Sequence, residues 1–442
     1  MMHKQLTLDF LDKLFIGILL IIFGGIVLHA PLTVGLSTVF PSVELLIKSW
    51  KEILMIGAGL LLVVILWRRR QWIILRSPIL LLIFGYALLH IALIPLAYTG
   101  VDPTLAGLAI DLRYVAFFAL VYVAMRLYPT MRRPFIITFV AGALVVAVFA
   151  ILQVTVLPID ILKYLGYGEG TIQPYLYLDQ NPDYIRINST LRGPNSLGAY
   201  GVIVLCLLGA FWLIGKRQLL KRSALVAAVL GVGGLVAVWF SYSRSALAAL
   251  VAAVGLVVVI ALGKKFPRWL WATAAIAVVV VGLGLFVARD SSFVANVILH
   301  DNPTTGAEMT SNQGHVDSLQ DGVDRMVHQP LGGGIGSTGS ASLLGDKPLI
   351  IENQYLYIAH EVGWLGLGLF LVILWKLFAQ LWQRRRDWLA LGVFASGIGL
   401  VLIGLLLPIL VDDTVAIIWW GLAALALGGS YGTLDKKTKR TA

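Results

Sequence analysis

Cysteine and charge are what this sequence has least of. Its one thiol, Cys206, lies within an apolar run, which excludes an intrachain disulfide, a CxxC redox motif and a thiolate metal cluster, and leaves the redox compartment unread. Asp, Glu, Lys and Arg make up 13% of the 442 residues, where an ordinary soluble domain carries about a quarter. So few polar groups cannot cover a core drawn from a chain that is 59% hydrophobic with a mean hydropathy of +0.88. Apolar surface must therefore face lipid, which excludes a soluble enzyme and points to an integral membrane protein. Other absences narrow the field. Residues 330–340, PLGGGIGSTGS, lack the Gly-Lys-Ser/Thr of a P-loop, so the glycines read as a flexible turn whose N–H groups could at most approach an anion. No internal repeat supports the inverted-repeat plan of many transporters. No histidine or carboxylate pair has metal-ligand spacing, and His300, His315 and His328 are scattered.

What the chain has in quantity is apolar runs of the length needed to cross about 30 Å of hydrocarbon as a helix. About twelve are expected, at 13–30, 45–67, 77–97, 106–127, 134–156, 196–214, 223–241, 246–262, 268–287, 354–378, 388–408 and 413–431. The fold class is an all-α integral membrane protein, one polytopic domain over 1–442. The first run is read as a retained span, because Leu28 stands where a signal peptide would need a small residue before cleavage after Ala30.

The net charge of +11 would suggest nucleic acid in a soluble protein; here it reports sidedness. Alternate connections hold most of the basic residues, among them Arg68, Arg69, Arg70, Arg132, Arg133, Lys216, Arg217, Lys264, Lys265, Arg384, Arg385 and Arg386. Only Asp9, Asp12, Asp387 and Asp435 accompany them, so these connections are cytoplasmic, as are both termini, and no nucleic-acid partner is implied. The opposite side carries two long connections, 157–195 and 288–353, well beyond the few residues that usually join helices, and so a place to look for function. In the second, Val316, Leu319, Val323, Met326 and Val327 fall at helical spacing opposite Asp317, Asp321 and Asp324, with Pro330 as a stop; this predicts a short amphipathic helix on the outer membrane surface. The fold class extends that expectation of short amphipathic helices to both connections.

Several outer-side residues invite chemistry. Arg244, in SYSRS between the seventh and eighth spans, is either an interfacial arginine snorkelling to headgroups or a fixed cation for a phosphate or diphosphate. Arg186 and Arg192, in RINSTLRGPNSLGAY, precede a span opened by Pro194 and Asn195, and read as a turn with a cap or as a second basic clamp converging on Arg244. Glu352 and Asn353 open the tenth span, as a dipole-favoured acid with a helix cap or as a carboxylate base with its neighbour. His360 and Glu361 read as polar groups facing the bundle, and Asp412 with Asp413 as a turn and cap. Lys48, Lys51, Glu52, Asp111 and Arg113 are expected to pair with one another inside the bundle.

Taken in order, RINSTLRGPNSLGAY, SYSRSAL, PLGGGIGSTG and ENQYLYIAHEVGWLGLGLFL resemble the O-antigen ligase and O-antigen polymerase superfamily. The resemblance implies an inverting, metal-independent, cofactor-free membrane glycosyltransferase. It would take a glycan from an undecaprenyl-diphosphate carrier at the outer face of the bacterial cytoplasmic (inner) membrane. A ligase passes it to a sugar of a lipid A-core glycolipid, a polymerase to another lipid-linked repeat unit; a lipid or glycan transporter is the reading from a different class. The resemblance also implies Arg244, Arg186 and Arg192 around the diphosphate, Glu352 as base, and Asn195 and Asn353 in support. Many ligases carry a histidine where this chain has Glu352, before Asn353.

Overall fold

A computed structural model describes residues 8–178, 181–215, 223–263 and 311–429, with scattered positions between 267 and 295. The described chain is almost wholly helical. Seven helical segments are long and apolar enough to cross a membrane: Phe10–Val39, Trp50–Arg69, Val101–Leu127, Pro129–Thr155, Pro194–Ile214, Arg244–Leu262 and Gln354–Gln383. Four shorter apolar helices, Pro78–Leu93, Ala224–Phe240, Trp388–Ile403 and Asp413–Gly428, lie where further spans were expected. The expected span at 268–287 lies outside the continuously described residues.

The principal elements are α1 (Phe10–Gly25), α2 (His29–Val39), α3 (Trp50–Arg69), α4 (Pro78–Leu93), α5 (Val101–Leu127), α6 (Arg132–Thr155), strands β1 (Tyr175–Leu178) and β2 (Asn181–Ile187), α7 (Pro194–Ile214), α8 (Ala224–Phe240), α9 (Arg244–Leu262), α10 (Ser311–His328), α11 (Gln354–Gln383), α12 (Trp388–Ile403) and α13 (Asp413–Gly428). α13 is apolar on every side after its first turn, and every one of its residues is buried, so it forms the axis of the bundle against α5. Trp419 and Trp420 are fully enclosed there, with the Tyr114 ring 5.0 Å from that of Trp420. α7 packs against α8, α9 and α12. The outward ridge of α3, including Ile53, Ile56, Leu60, Val63 and Trp67, is exposed, as expected of a surface that meets lipid.

One end of the bundle is closed by ion pairs. Asp9 and Asp12 cap α1 reciprocally, Asp12 is buried against Arg69 and Tyr128, Arg68 reaches Asp9 at 3.4 Å, and Arg132 grips Asp387 with one nitrogen at 2.8 and 2.7 Å. Three of the four acids on the basic side thus neutralise arginines beside them. Charges buried nearer the other end pair as well. Arg113 lies 2.5 Å from Asp413 and 3.7 Å from Glu52, and Lys51 lies 3.1 Å from Asp413 and 3.2 Å from Glu52. Lys48 pairs instead with Glu44, and Asp111 accepts from Tyr357 at 3.3 Å.

The long connections differ from expectation in one respect. The second contains the predicted amphipathic helix, α10, whose Val316, Leu319, Val323 and Val327 remain exposed. Among the described residues the first contains only a short 3-10 turn at Ile161–Leu165, and its organising element is an antiparallel hairpin that pairs Tyr175 with Ile187 and Leu176 with Arg186. The alternation of large apolar and polar side chains in YLYL and YIRI suits a pleated strand better than a helix. α12 also ends early, at Ile403 rather than the expected 408. The backbone leaves at Gly404, whose carbonyl accepts from Gln354 N–H at 2.9 Å, and Leu405 O accepts from the Asn353 side chain at 2.8 Å.

Candidate active site

α8 and α9 are joined by only Ser241, Tyr242 and Ser243. So short a reversal holds Tyr242 at φ 46°, a left-handed conformation that costs a residue with a side chain about 1–3 kcal/mol. Ser241 secures the turn, its hydroxyl donating to Val238 O at 2.7 Å and accepting from Ser243 N–H at 3.2 Å. Tyr242 stands edge-on to Tyr184 of β2, ring centres 6.0 Å apart. Burial, with Tyr184 beside it, raises its phenol above the ordinary range, so it stays neutral. Gly198 brings α7 against the turn: a Cβ there would meet Ser241 Oγ at 2.7 Å and Ala246 Cβ at 2.8 Å.

Arg244 is the first residue of α9, and Ser243 gives that helix no side-chain cap. A cation at a helix N-terminus works against the helix dipole, so guanidinium and open N–H groups together favour an anion. Arg186 reaches the same turn from β2, donating from Nε to Ser241 O at 2.8 Å and from Nη2 to Asn195 Oδ1 at 2.7 Å. Asn195, in the first turn of α7, therefore holds an arginine rather than capping its helix. Arg186, Asn195, Tyr242, Ser243, Arg244, Ser245 and His315 line a cavity of about 80 Å3, closed by Leu178, Leu406 and Leu407. The early end of α12 is what places those two leucines in its wall. A second cavity of about 210 Å3 shares Tyr242, Ser243 and Arg244, but its remaining walls are Val238, Trp239, Leu247, Ala248 and Val251.

Other expected residues fall beside the basic cavity. Arg192 is exposed and donates to Ser340 Oγ at 3.2 Å, away from the cavity wall. Asn353 caps α11, its Oδ1 accepting from the N–H groups of Tyr355 and Leu356. Glu352 does not line the cavity; its Oε2 lies 2.5 Å from Nδ1 of His315, which does. Sequence reasoning missed His315, because no spacing links one histidine on α10 to a carboxylate before α11. Asp412 caps α13 and accepts from Ser196 Oγ at 2.8 Å, beside the Arg186 and Asn195 pair.

The glycine run is not a loose turn. α11 breaks at Val362 and Gly363, and Gly363 (φ 67°) lies so close to Pro330 that a Cβ would meet its carbonyl oxygen at 2.4 Å. The Glu361 carboxylate accepts from the N–H groups of Gly336 and Thr338, the latter at 2.9 Å. These donors, available in principle to an anion, are taken up by a side chain of the protein. Among the described residues no group of three or more His, Cys, Asp or Glu gathers to hold a metal ion. The cavity offers guanidinium, amide, hydroxyl and imidazole groups.

Residues 229–371 match the family model described as O-antigen ligase. That match supports assignment to the O-antigen ligase and polymerase superfamily. The segment that carries the match contains the Arg244 turn, α10 with His315, the glycine run and Glu352; Arg186 and Asn195 reach this O-antigen ligase-type core from outside it. Among curated proteins none matches the chain.

Proposed function

We propose that this O-antigen ligase-type membrane enzyme moves a glycan from undecaprenyl diphosphate to a sugar hydroxyl of a lipid A-core type acceptor, at the outer face of the bacterial cytoplasmic membrane. In this reading the chain spans the membrane about twelve times, with both termini cytoplasmic. One observation carries it: Arg244 stands between two cavities, one polar and shared with Arg186 and Asn195, the other almost wholly apolar. An amphiphile with an anionic head and a prenyl tail suits that pairing, and a sugar diphosphate on a lipid is such a molecule.

The chemistry follows from the donor. No nucleotide sugar is at hand outside the cytoplasm, so the transferable bond must arrive already activated. As the bond between the anomeric carbon and the diphosphate oxygen breaks, its electron pair goes to the diphosphate. Arg186 and Arg244 oppose the charge that grows there, and so act more strongly in the transition state than before it. Arg192, reaching Ser340, is assigned to the outer rim. The acceptor hydroxyl attacks from the opposite side, with inversion, and loses its proton to the side of the cavity where His315 and Glu352 stand. No metal or cofactor is invoked.

The second reading is a polymerase, in which the acceptor is another lipid-linked repeat; it is favoured by Glu352 standing where many ligases have histidine. Gene deletion tests both. A deletion strain of the source organism should accumulate lipid-linked glycan, and the chain, but not Arg244→Ala or Arg186→Ala, should clear it. Product analysis separates a new acceptor linkage from a lengthened glycan. Movement of substrate across vesicles with no new glycosidic bond would replace both readings with a transporter.

A further inference from the structure

We propose that His315 is the catalytic base and that Glu352 is the residue that positions it. This deepens the transfer reading above and rests on it. A base must face the reacting atoms before its basicity matters. His315 is in the wall of the cavity that holds Arg186 and Arg244, whereas Glu352 stands behind the imidazole, 2.5 Å from Nδ1. The backbone that carries Glu352 is held on both sides: Glu352 N–H donates to Ser318 Oγ at 3.3 Å, and Asn353 next to it is fixed as the cap of α11. Gly322 of α10 packs on Leu356 of α11, where a Cβ would come within 2.9 Å of Leu356 Cδ1, so the two helices meet closely beyond the pair.

Nδ1 is the ring nitrogen that lies next to the carboxylate, which leaves Nε2 for substrate. The acceptor O–H gives its proton to Nε2 as its oxygen bonds to the anomeric carbon. The bond from that carbon to the diphosphate oxygen breaks, and the electron pair leaves with undecaprenyl diphosphate. Glu352 orients the ring and stabilises the imidazolium that forms, which then returns its proton to solvent.

The test uses membranes of a deletion strain of the source organism, which supply accumulated lipid-linked glycan and acceptor together, with purified full-length protein added. His315→Gln and His315→Gly should lower kcat by about 100-fold or more with the KM for donor little changed, and added imidazole should restore turnover to His315→Gly alone. Glu352→Gln should lower kcat by about tenfold or more while leaving KM, and Glu352→Asp should recover part of the loss. The near-isosteric His315→Gln, checked for an unchanged thermal unfolding midpoint, separates lost chemistry from lost folding. Transfer by His315→Gln within about threefold of wild type, with Glu352→Gln inactive, would overturn the proposal and return the base to Glu352. Loss in His315→Gly that imidazole cannot restore would make the pair a structural tie and overturn it equally. Failure of the transfer reading looks different: the wild-type chain would form no glycosidic bond and Arg244→Ala would behave as wild type does.

Discussion

The guanidinium of Arg186 donates to the side-chain oxygen of Asn195 at 2.7 Å, tying the hairpin of the first long connection to the first turn of α7. The same arginine donates to Ser241 O, so one side chain joins three segments at the rim of the cavity. Asn195→Ala removes a hydrogen bond to a charged group, worth about 1.5–3 kcal/mol. Its expected effect is a roughly tenfold or greater weakening of undecaprenyl diphosphate binding, measured by titration in detergent. Asn195→Asp should keep the geometry but partly neutralise Arg186, and so weaken binding without loosening the hairpin.

Gly198 has a steric task. Any Cβ there meets Ser241 Oγ at 2.7 Å and Ala246 Cβ at 2.8 Å. Gly198→Val should push the Arg244 turn from α7 and destabilise the protein by about 1–3 kcal/mol, read as a lower thermal unfolding midpoint. Transfer should fall further than stability alone accounts for, because the turn carries Arg244.

Glu361 binds the glycine run to the break in α11 through Gly336 and Thr338. Glu361→Gln keeps one acceptor oxygen and turns an amide N–H₂ toward a backbone donor. A loss of about 1–3 kcal/mol is expected, with faster hydrogen exchange across 330–340 than elsewhere in the bundle.

The buried pairs of Arg113 and Lys51 with Asp413 allow a sharper test of packing. Asp413→Asn deprives Arg113 and Lys51 of their nearest carboxylate and should cost about 3–5 kcal/mol. Adding Lys51→Met should recover part of that loss, and a double-mutant cycle on unfolding in detergent measures the coupling.

How much of this was legible beforehand differs from residue to residue. The helices at eleven of the expected positions follow from hydropathy, a signal repeated over many residues and little changed by packing. α10 was legible for the same reason, since Val316, Leu319 and Val323 repeat at helical spacing. The meeting of Arg186 with the Arg244 turn was foreseeable only as two basic motifs on one side of the membrane; that Asn195 joins them required coordinates. The hairpin was missed because two short runs of strand alternation are a weak signal within a polar connection. His315 left no trace in spacing: its partner Glu352 is a neighbour only because α10 folds back on α11. The glycine run was misjudged because what fills it, Glu361, sits on another helix.

The central claim is that Arg244 and Arg186 hold a lipid diphosphate from which a glycan is transferred. The most direct measurement is mass spectrometry of glycans formed when purified protein is added to membranes of the deletion strain. The account predicts a new glycosidic linkage and released undecaprenyl diphosphate with the wild-type chain, and a loss of about 100-fold or more in Arg244→Ala. An unchanged product with Arg244→Ala, or no new linkage from the wild-type chain, would contradict it.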